Sequence, residues 1–133
     1  MKISEEEVAF VSAQESLEEG VSFIRDNSDI KILFVTLGNK GSIAYYKDEK
    51  MYCRGIHQEH VVDTTGAGDT FCGAVLSRIL ELGTDDLTEK DIREMLLFAN
   101  AAASIVVTRK GALCSMPEPE EIRAASSLID KVL

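Results

Sequence analysis

The segment Asp63-Thr64-Thr65-Gly66-Ala67-Gly68-Asp69 sets two glycines around an alanine, immediately before an amphipathic stretch that runs to about Leu82. Small residues let a ligand come close to the backbone. The N–H groups of Gly66, Ala67 and Gly68 fall in the first turn of that helix, where intrahelical partners are lacking. With the helix dipole they form an anion site. A carboxylate inside an anion site works against anion affinity. Asp69 makes chemical sense there as a base, accepting the proton of a hydroxyl that attacks a phosphoryl group held by the same backbone. Spacing alone leaves a second reading open: a plain helix start with an acidic first turn also favours Asp.

Thr36-Leu37-Gly38-Asn39-Lys40-Gly41 follows an apolar run, Lys31 to Thr36, that reads as a strand buried on both faces. Its two glycines could seat the sugar and phosphates of a nucleotide, or simply turn the chain into a hairpin. Other phosphate motifs are excluded. No G-x-x-x-x-G-K-[ST] is present, and Phe71 stands where the third glycine of G-x-G-x-x-G would be. His57 and His60 lack an acid or cysteine at metal-ligand spacing. Arg109-Lys110 suits the C-terminal end of a helix.

Asp63 to Ala74 (DTTGAGDTFCGA), preceded by Thr36 to Gly41 (TLGNKG) and followed by Asn100 to Ala112 (NAAASIVVTRKGA), resembles the C-terminal half of the ribokinase-like, PfkB-type carbohydrate kinases. Within them it is most similar to bacterial fructokinases. The resemblance implies an α/β fold, the C-terminal portion of a ribokinase-like three-layer α/β/α sandwich. It also implies an ATP-dependent sugar kinase with Mg²⁺ and K⁺ as cofactors and, for the complete enzyme, a homodimer. By the same resemblance Asp69 is the catalytic base, and Gly66, Ala67 and Gly68 are the anion hole for the transferring phosphoryl group. Thr36, Gly38, Asn39 and Gly41 match the nucleotide loop, and Asn100 and Ala103 line the adenine and ribose pocket. Asp63, Thr65, Val106, Arg109, Gly111 and Ser115 match the ligands of a monovalent cation, several through carbonyls. Glu7 matches the acid of an N-x-x-E motif that organises Mg²⁺ through water; Ser4 stands in place of its Asn. The sugar-binding part and lid of such an enzyme are expected outside residues 1–133. Two alternatives follow: an isolated fragment that binds nucleotide or anion without catalysis, and a nucleoside kinase of the same superfamily.

The elements that must position these groups are legible as helix and strand patterns. Ser4 with Glu7 has capping-box spacing, and residues 4–27 read as two short helices broken near Ser12 to Ser16. Ser42 to Lys47 and Lys50 to Arg54 read as a hairpin turning at Asp48-Glu49. Phe71, Ala74, Val75, Ile79 and Leu82 form the apolar stripe of the helix after Asp69, with Gly83 as its stop. Thr88 and Asp91 suit the cap of the next helix, which continues through the small-residue run Met95 to Val107 towards Gly111. Such a run suits close packing on a sheet or a flat ligand. Pro119 opens a last helix with Ile122, Ala125, Ile129 and Val132 on one side. The mixture predicts helices packed on a sheet, one edge of which is left open where the rest of the domain belongs.

Composition bounds the rest. The chain has 133 residues and a formal net charge of −9, from Lys+Arg 14 and Asp+Glu 23. That balance excludes a general nucleic-acid binder, which needs a basic face, but not a small anion read by local N–H groups. No apolar run has the length of a membrane span. Cys53, Cys72 and Cys114 are an odd set without C-x-x-C spacing, as expected for free thiols in a cytoplasmic protein.

Overall fold

A computed structural model describes residues 1–111 and 113–130. Strands β1 (Lys2–Ser4), β2 (Ile32–Thr36), β3 (Gly41–Tyr46) and β4 (Glu49–Arg54) form one sheet in the order β1-β2-β3-β4. β1 runs parallel to β2, with Ile3 opposite Val35, and the remaining pairs are antiparallel. The sheet is therefore mixed. Two helices, α1 (Glu5–Ser12) and α2 (Leu17–Asp26), cover one face. On the other lie α3 (Ala67–Leu82) and α4 (Glu89–Val106), with α5 (Pro119–Asp130) packed on α4. This is the expected α/β/α layering.

Strand alternation divides the core in two. Leu33, Val35, Ile43 and Tyr45 join Ile3, Val8, Val21 and Ile24 under α1 and α2. Ile32, Phe34, Ala44 and Tyr46 join Phe71, Val75, Met95 and Leu96 under α3 and α4. β2 and β3 thus bury both faces, which is why Lys31 to Thr36 reads as one continuous apolar run. Burying a side chain such as Leu33 or Phe34 contributes about 1.5–3 kcal/mol. β4 buries only Met51 and Cys53 and leaves Lys50, Tyr52 and Arg54 exposed, as a one-sided edge strand does.

Local chemistry sets the helix ends. The Ser4 and Thr88 side chains accept the Glu7 and Asp91 N–H groups, both at 3.2 Å, and both acids return a bond to the cap residue's N–H. These are the two expected caps of α1 and α4. The expected break at Ser12 to Ser16 holds. Ala13 turns into the left-handed region at φ 55°, and Ser16 caps α2 by accepting the Glu19 N–H. α1 and α2 pack so closely that a Cβ on Gly20 would stand 2.6 Å from Val8 Cγ1 and 2.8 Å from Ser12 Oγ.

Four expectations need correction. Lys2–Ser4 is a strand, where the sequence suggested only charged chain leading to a cap. The hairpin turns at Lys47-Asp48 and not Asp48-Glu49, because Tyr46 pairs with Glu49 and Lys47 takes the left-handed conformation. Leu82 is exposed at the end of α3, so its stripe stops at the half-buried Ile79. α4 ends at Val106, and Thr108 and Arg109 turn their N–H groups back onto Ile105 and Val106; Gly111, at φ 94°, lies in the turn beyond. The apolar face of α5 rests on Ile122 and Ala125; the Ile129 side chain, Val132 and Ala112 lie outside the described residues. Among the described residues nothing pairs with the outer edge of β1, and Phe10 on α1 (89% exposed) and Leu80 on α3 (87%) leave large apolar side chains in solvent. Among the described residues no helix is long and apolar enough to cross a membrane.

Candidate functional site

Two loops and one helix face meet beyond the C-terminal end of β2. The first loop leaves β2 at Thr36, makes a 3₁₀ turn over Gly38–Lys40 and enters β3 at Gly41. Leu37 N–H donates to Gly41 O at 2.9 Å, and Gly55 N–H donates to Lys40 O at 2.9 Å. This seam explains two glycines. Gly41 has φ 117°, and a Cβ on it would lie 2.1 Å from Cys53 O; a Cβ on Gly55 would lie 2.3 Å from Asn39 O.

The second loop enters α3. Val62 and Asp63 both donate N–H to Val107 O, at 2.8 and 3.2 Å, which ties the loop to the end of α4. The Asp63 carboxylate accepts the Thr65 N–H at 2.9 Å. Hydrogen bonds from Thr65, side chain first and then backbone, hold the Asp63 carboxyl below its ordinary range, helped by the Gly111 N–H and the charge of Lys110. Gly66 caps α3 at φ 83° with no side-chain bond. Ala67 N–H turns back to Thr64 O at 3.3 Å, so it is not among the free donors expected for it. Gly66 and Gly68 N–H groups make no hydrogen bond among the described residues.

Between the loops and α4 lies a cleft of about 330 Å³. Of the expected nucleotide residues, Thr36, Gly38, Asn39, Gly41, Gly68, Asn100 and Ala103 all line it, and so does Ala67. Its floor is apolar, from Ile56, Val61, Phe71, Ala103 and Val107, and polar groups of Thr36, Asn39, His57, Gln58 and Ser104 ring it. Among the described residues no Lys, Arg, Asp or Glu lines it. An apolar slot with a few polar groups is the ordinary build of a small-molecule site. The strand-end segment Gly55 to Val61, together with Thr64, Phe71, Ser104 and Val107, was missed from sequence. Helical spacing could have found part of it, because Asn100, Ala103, Ser104 and Val107 stand at i, i+3, i+4 and i+7.

Asn100, which lines the cleft as expected, also has a structural role. Its Oδ1 accepts the Ser42 hydroxyl at 3.0 Å, and its Nδ2 donates to Cys53 O at 3.2 Å and Arg54 O at 3.4 Å. The amide thus ties α4 to β3 and β4 at the cleft wall. Asp69 lies outside the cleft wall, in the first turn of α3 beside Gly68. It is exposed, and its carboxylate makes no hydrogen bond or ion pair among the described residues. An unengaged carboxylate one residue from free N–H donors can take a proton from a hydroxyl while those donors hold an anion.

The expected cation ligands fall into two places. Asp63, Thr65, Val106, Arg109, Gly111 and Ser115 share the corner where the second loop meets the end of α4. There Val106 O accepts the Arg109 N–H at 3.1 Å, and Ser115 Oγ donates to Lys110 O at 2.8 Å. An ionised carboxylate among carbonyl and hydroxyl oxygens suits a hard cation. The Arg109 guanidinium, which donates to Ser115 O at 3.4 Å, is a competing charge that Glu121 offsets. Glu7 lies in the first turn of α1. Its Oε2 accepts the Ser4 N–H at 2.7 Å, and chiefly this bond lowers its pKa.

Comparison with known proteins identifies the family and the fold. The model of the pfkB family carbohydrate kinases matches residues 1–119. A probable fructokinase-4 of Arabidopsis thaliana is 36% identical over 93% of this chain and 38% of its own length. A fructokinase from Vibrio cholerae, solved with fructose, ADP and calcium, superposes with a TM-score of 0.82 at 33% identity, over 92% of this chain and 39% of its own. A ribokinase of Arabidopsis thaliana, complexed with ribose and ATP, does so with a TM-score of 0.78 at 32% identity, over 94% and 39%. The likeness thus reaches plant as well as bacterial enzymes. The chain spans well under half the length of each relative.

Proposed function

Because this chain belongs to the pfkB family of carbohydrate kinases, we propose that it carries the nucleotide-binding and phosphoryl-transfer part of an ATP-dependent sugar kinase of the fructokinase type. The sugar-binding part and lid then belong to chain outside residues 1–133. The observation that carries this reading is the unengaged Asp69 carboxylate beside the free Gly66 and Gly68 N–H groups at the mouth of an apolar cleft.

Adenine and ribose occupy the cleft, and the phosphates lie towards α3. The Gly66 and Gly68 N–H groups hold the terminal phosphoryl oxygens, where charge builds as the P–O bond shifts. Asp69 accepts the proton of the incoming sugar hydroxyl as its oxygen bonds to phosphorus and ADP leaves. Mg²⁺ bound with the triphosphate supplies charge neutralisation, and Glu7 would hold it through water. Asp63, Thr65, Val106, Arg109, Gly111 and Ser115 would hold a monovalent cation that orders the loop before α3.

The test is Asp69→Asn in a polypeptide that includes the sugar-binding part. ATP binding by calorimetry stays unchanged, while fructose phosphorylation falls by about 10²–10⁴-fold. Near-normal turnover refutes the base assignment. One fact favours a second reading for residues 1–133 alone: they cover only 38% of a curated relative. On that reading the isolated chain is stabilised by ATP in thermal unfolding but phosphorylates nothing. Turnover of fructose by the isolated chain refutes it.

A further inference from the structure

We infer that Lys2 is a phosphate-binding residue of this site, supplying the positive charge that the cleft walls lack; the inference rests on the kinase reading above. β1 runs beside the start of α3, and Lys2 Nζ lies 3.1 Å, and Cε 3.9 Å, from the point that a Cβ on Gly68 would occupy. Apart from Gly68's own neighbours and helix backbone, no other heavy atom of the described residues comes within 4 Å of that point. Gly68 is not among the residues at positive φ, so its backbone does not require glycine. The missing side chain leaves room for the Lys2 ammonium to stand over the turn whose free N–H groups face an anion.

The ammonium is uncommitted. Among the described residues Lys2 forms no ion pair within 4 Å, although it is half-buried. Its charge helps hold the Glu7 carboxyl below the ordinary range, as a weaker cause than the Ser4 N–H bond. Lys40, beside the cleft, pairs with Glu5 at 3.8 Å, and Arg109 pairs with Glu121. Among the described residues no Lys or Arg lines the cleft, and the chain's net charge is −9, so Lys2 would add a fixed positive side chain to the backbone dipoles that meet a triphosphate. A lysine acts on phosphate as a point charge, so Lys2 needs only proximity to the oxygens seated on Gly68.

The test compares ATP with adenosine, which has the base and sugar but no phosphate, on the polypeptide that includes the sugar-binding part. Lys2→Met is expected to weaken ATP binding about tenfold to a hundredfold and to leave adenosine binding unchanged. Lys2→Arg, which keeps the charge, restores most of the ATP affinity. Equal weakening of both ligands, or no change in either, overturns the inference, because a merely structural lysine moves both together. Failure of the unaltered protein to bind ATP at all would instead overturn the kinase reading beneath it.

Discussion

Replacing Asn100 by alanine separates a structural tie from a nucleotide ligand. The amide side chain is 7% exposed and joins three elements, accepting from Ser42 and donating to Cys53 O and Arg54 O. Ser42 is fully buried at 0% exposure, so its hydroxyl loses its partner with no water to replace it, costing about 1–2 kcal/mol. The two carbonyls share one Nδ2 at 3.2 and 3.4 Å and lose about 1 kcal/mol between them. A total of about 2–3 kcal/mol should therefore disappear from the stability of the nucleotide-free protein. The assay is urea unfolding without nucleotide, where the midpoint falls and the slope is kept. An unchanged midpoint combined with weaker nucleotide binding would refute the tie and return Asn100 to the role of direct ligand.

Gly41→Ala must accommodate φ 117° and a contact of 2.1 Å with Cys53 O, so it should cost more than about 3 kcal/mol or prevent folding. Gly38→Ala meets open space at φ 59° and should cost only about 1–2 kcal/mol, a contrast that thermal unfolding resolves. Gly20→Ala gains about 0.5–1 kcal/mol of helix propensity but drives a Cβ against Val8 and Ser12, so a net loss of about 1–2 kcal/mol is expected in urea; stabilisation would disprove the close packing of α1 on α2. Asp91 is held below its ordinary pKa, first by the Thr88 hydroxyl and then by the Thr88 backbone. A depressed folded-state pKa gives stability that is present above the unfolded value and lost as pH falls through the folded one. Thr88→Ala should therefore destabilise at neutral pH, and its gap to the parent should narrow below the ordinary carboxylate range; a constant gap would show that the cap does not act through Asp91.

Signals confined to a few neighbouring residues were the legible ones. Both capping boxes follow from a Ser or Thr and an acid three residues apart, and β2 from five consecutive apolar or β-branched residues. The loop-to-helix motif at Asp63 to Asp69 could be placed at a helix start because glycines and an acidic first turn are local chemistry. β1 was not legible. Its three residues carry one apolar side chain, Ile3, and it is a strand only because β2 offers it an edge. The hairpin turn slipped by one residue because charged residues at a turn do not fix register; Tyr46 opposite Glu49 does. Asn100 has a role set by partners far along the chain, Ser42 and Cys53, which no window of the sequence contains. The wall from Gly55 to Val61 became part of the cleft only through the seam between Lys40 and Gly55.

That seam limits how the cleft can be re-engineered. A Cβ would lie 2.1 Å from Cys53 O at Gly41 and 2.3 Å from Asn39 O at Gly55, so the close approach of rim and sheet tolerates only glycine at both positions. A combinatorial library aimed at a different nucleobase should hold both glycines constant and randomise Ile56, His57 and Gln58. Those three line the cleft next to the anchored rim, and Ile56 also packs against the core under α3 and α4, so its replacements should stay apolar.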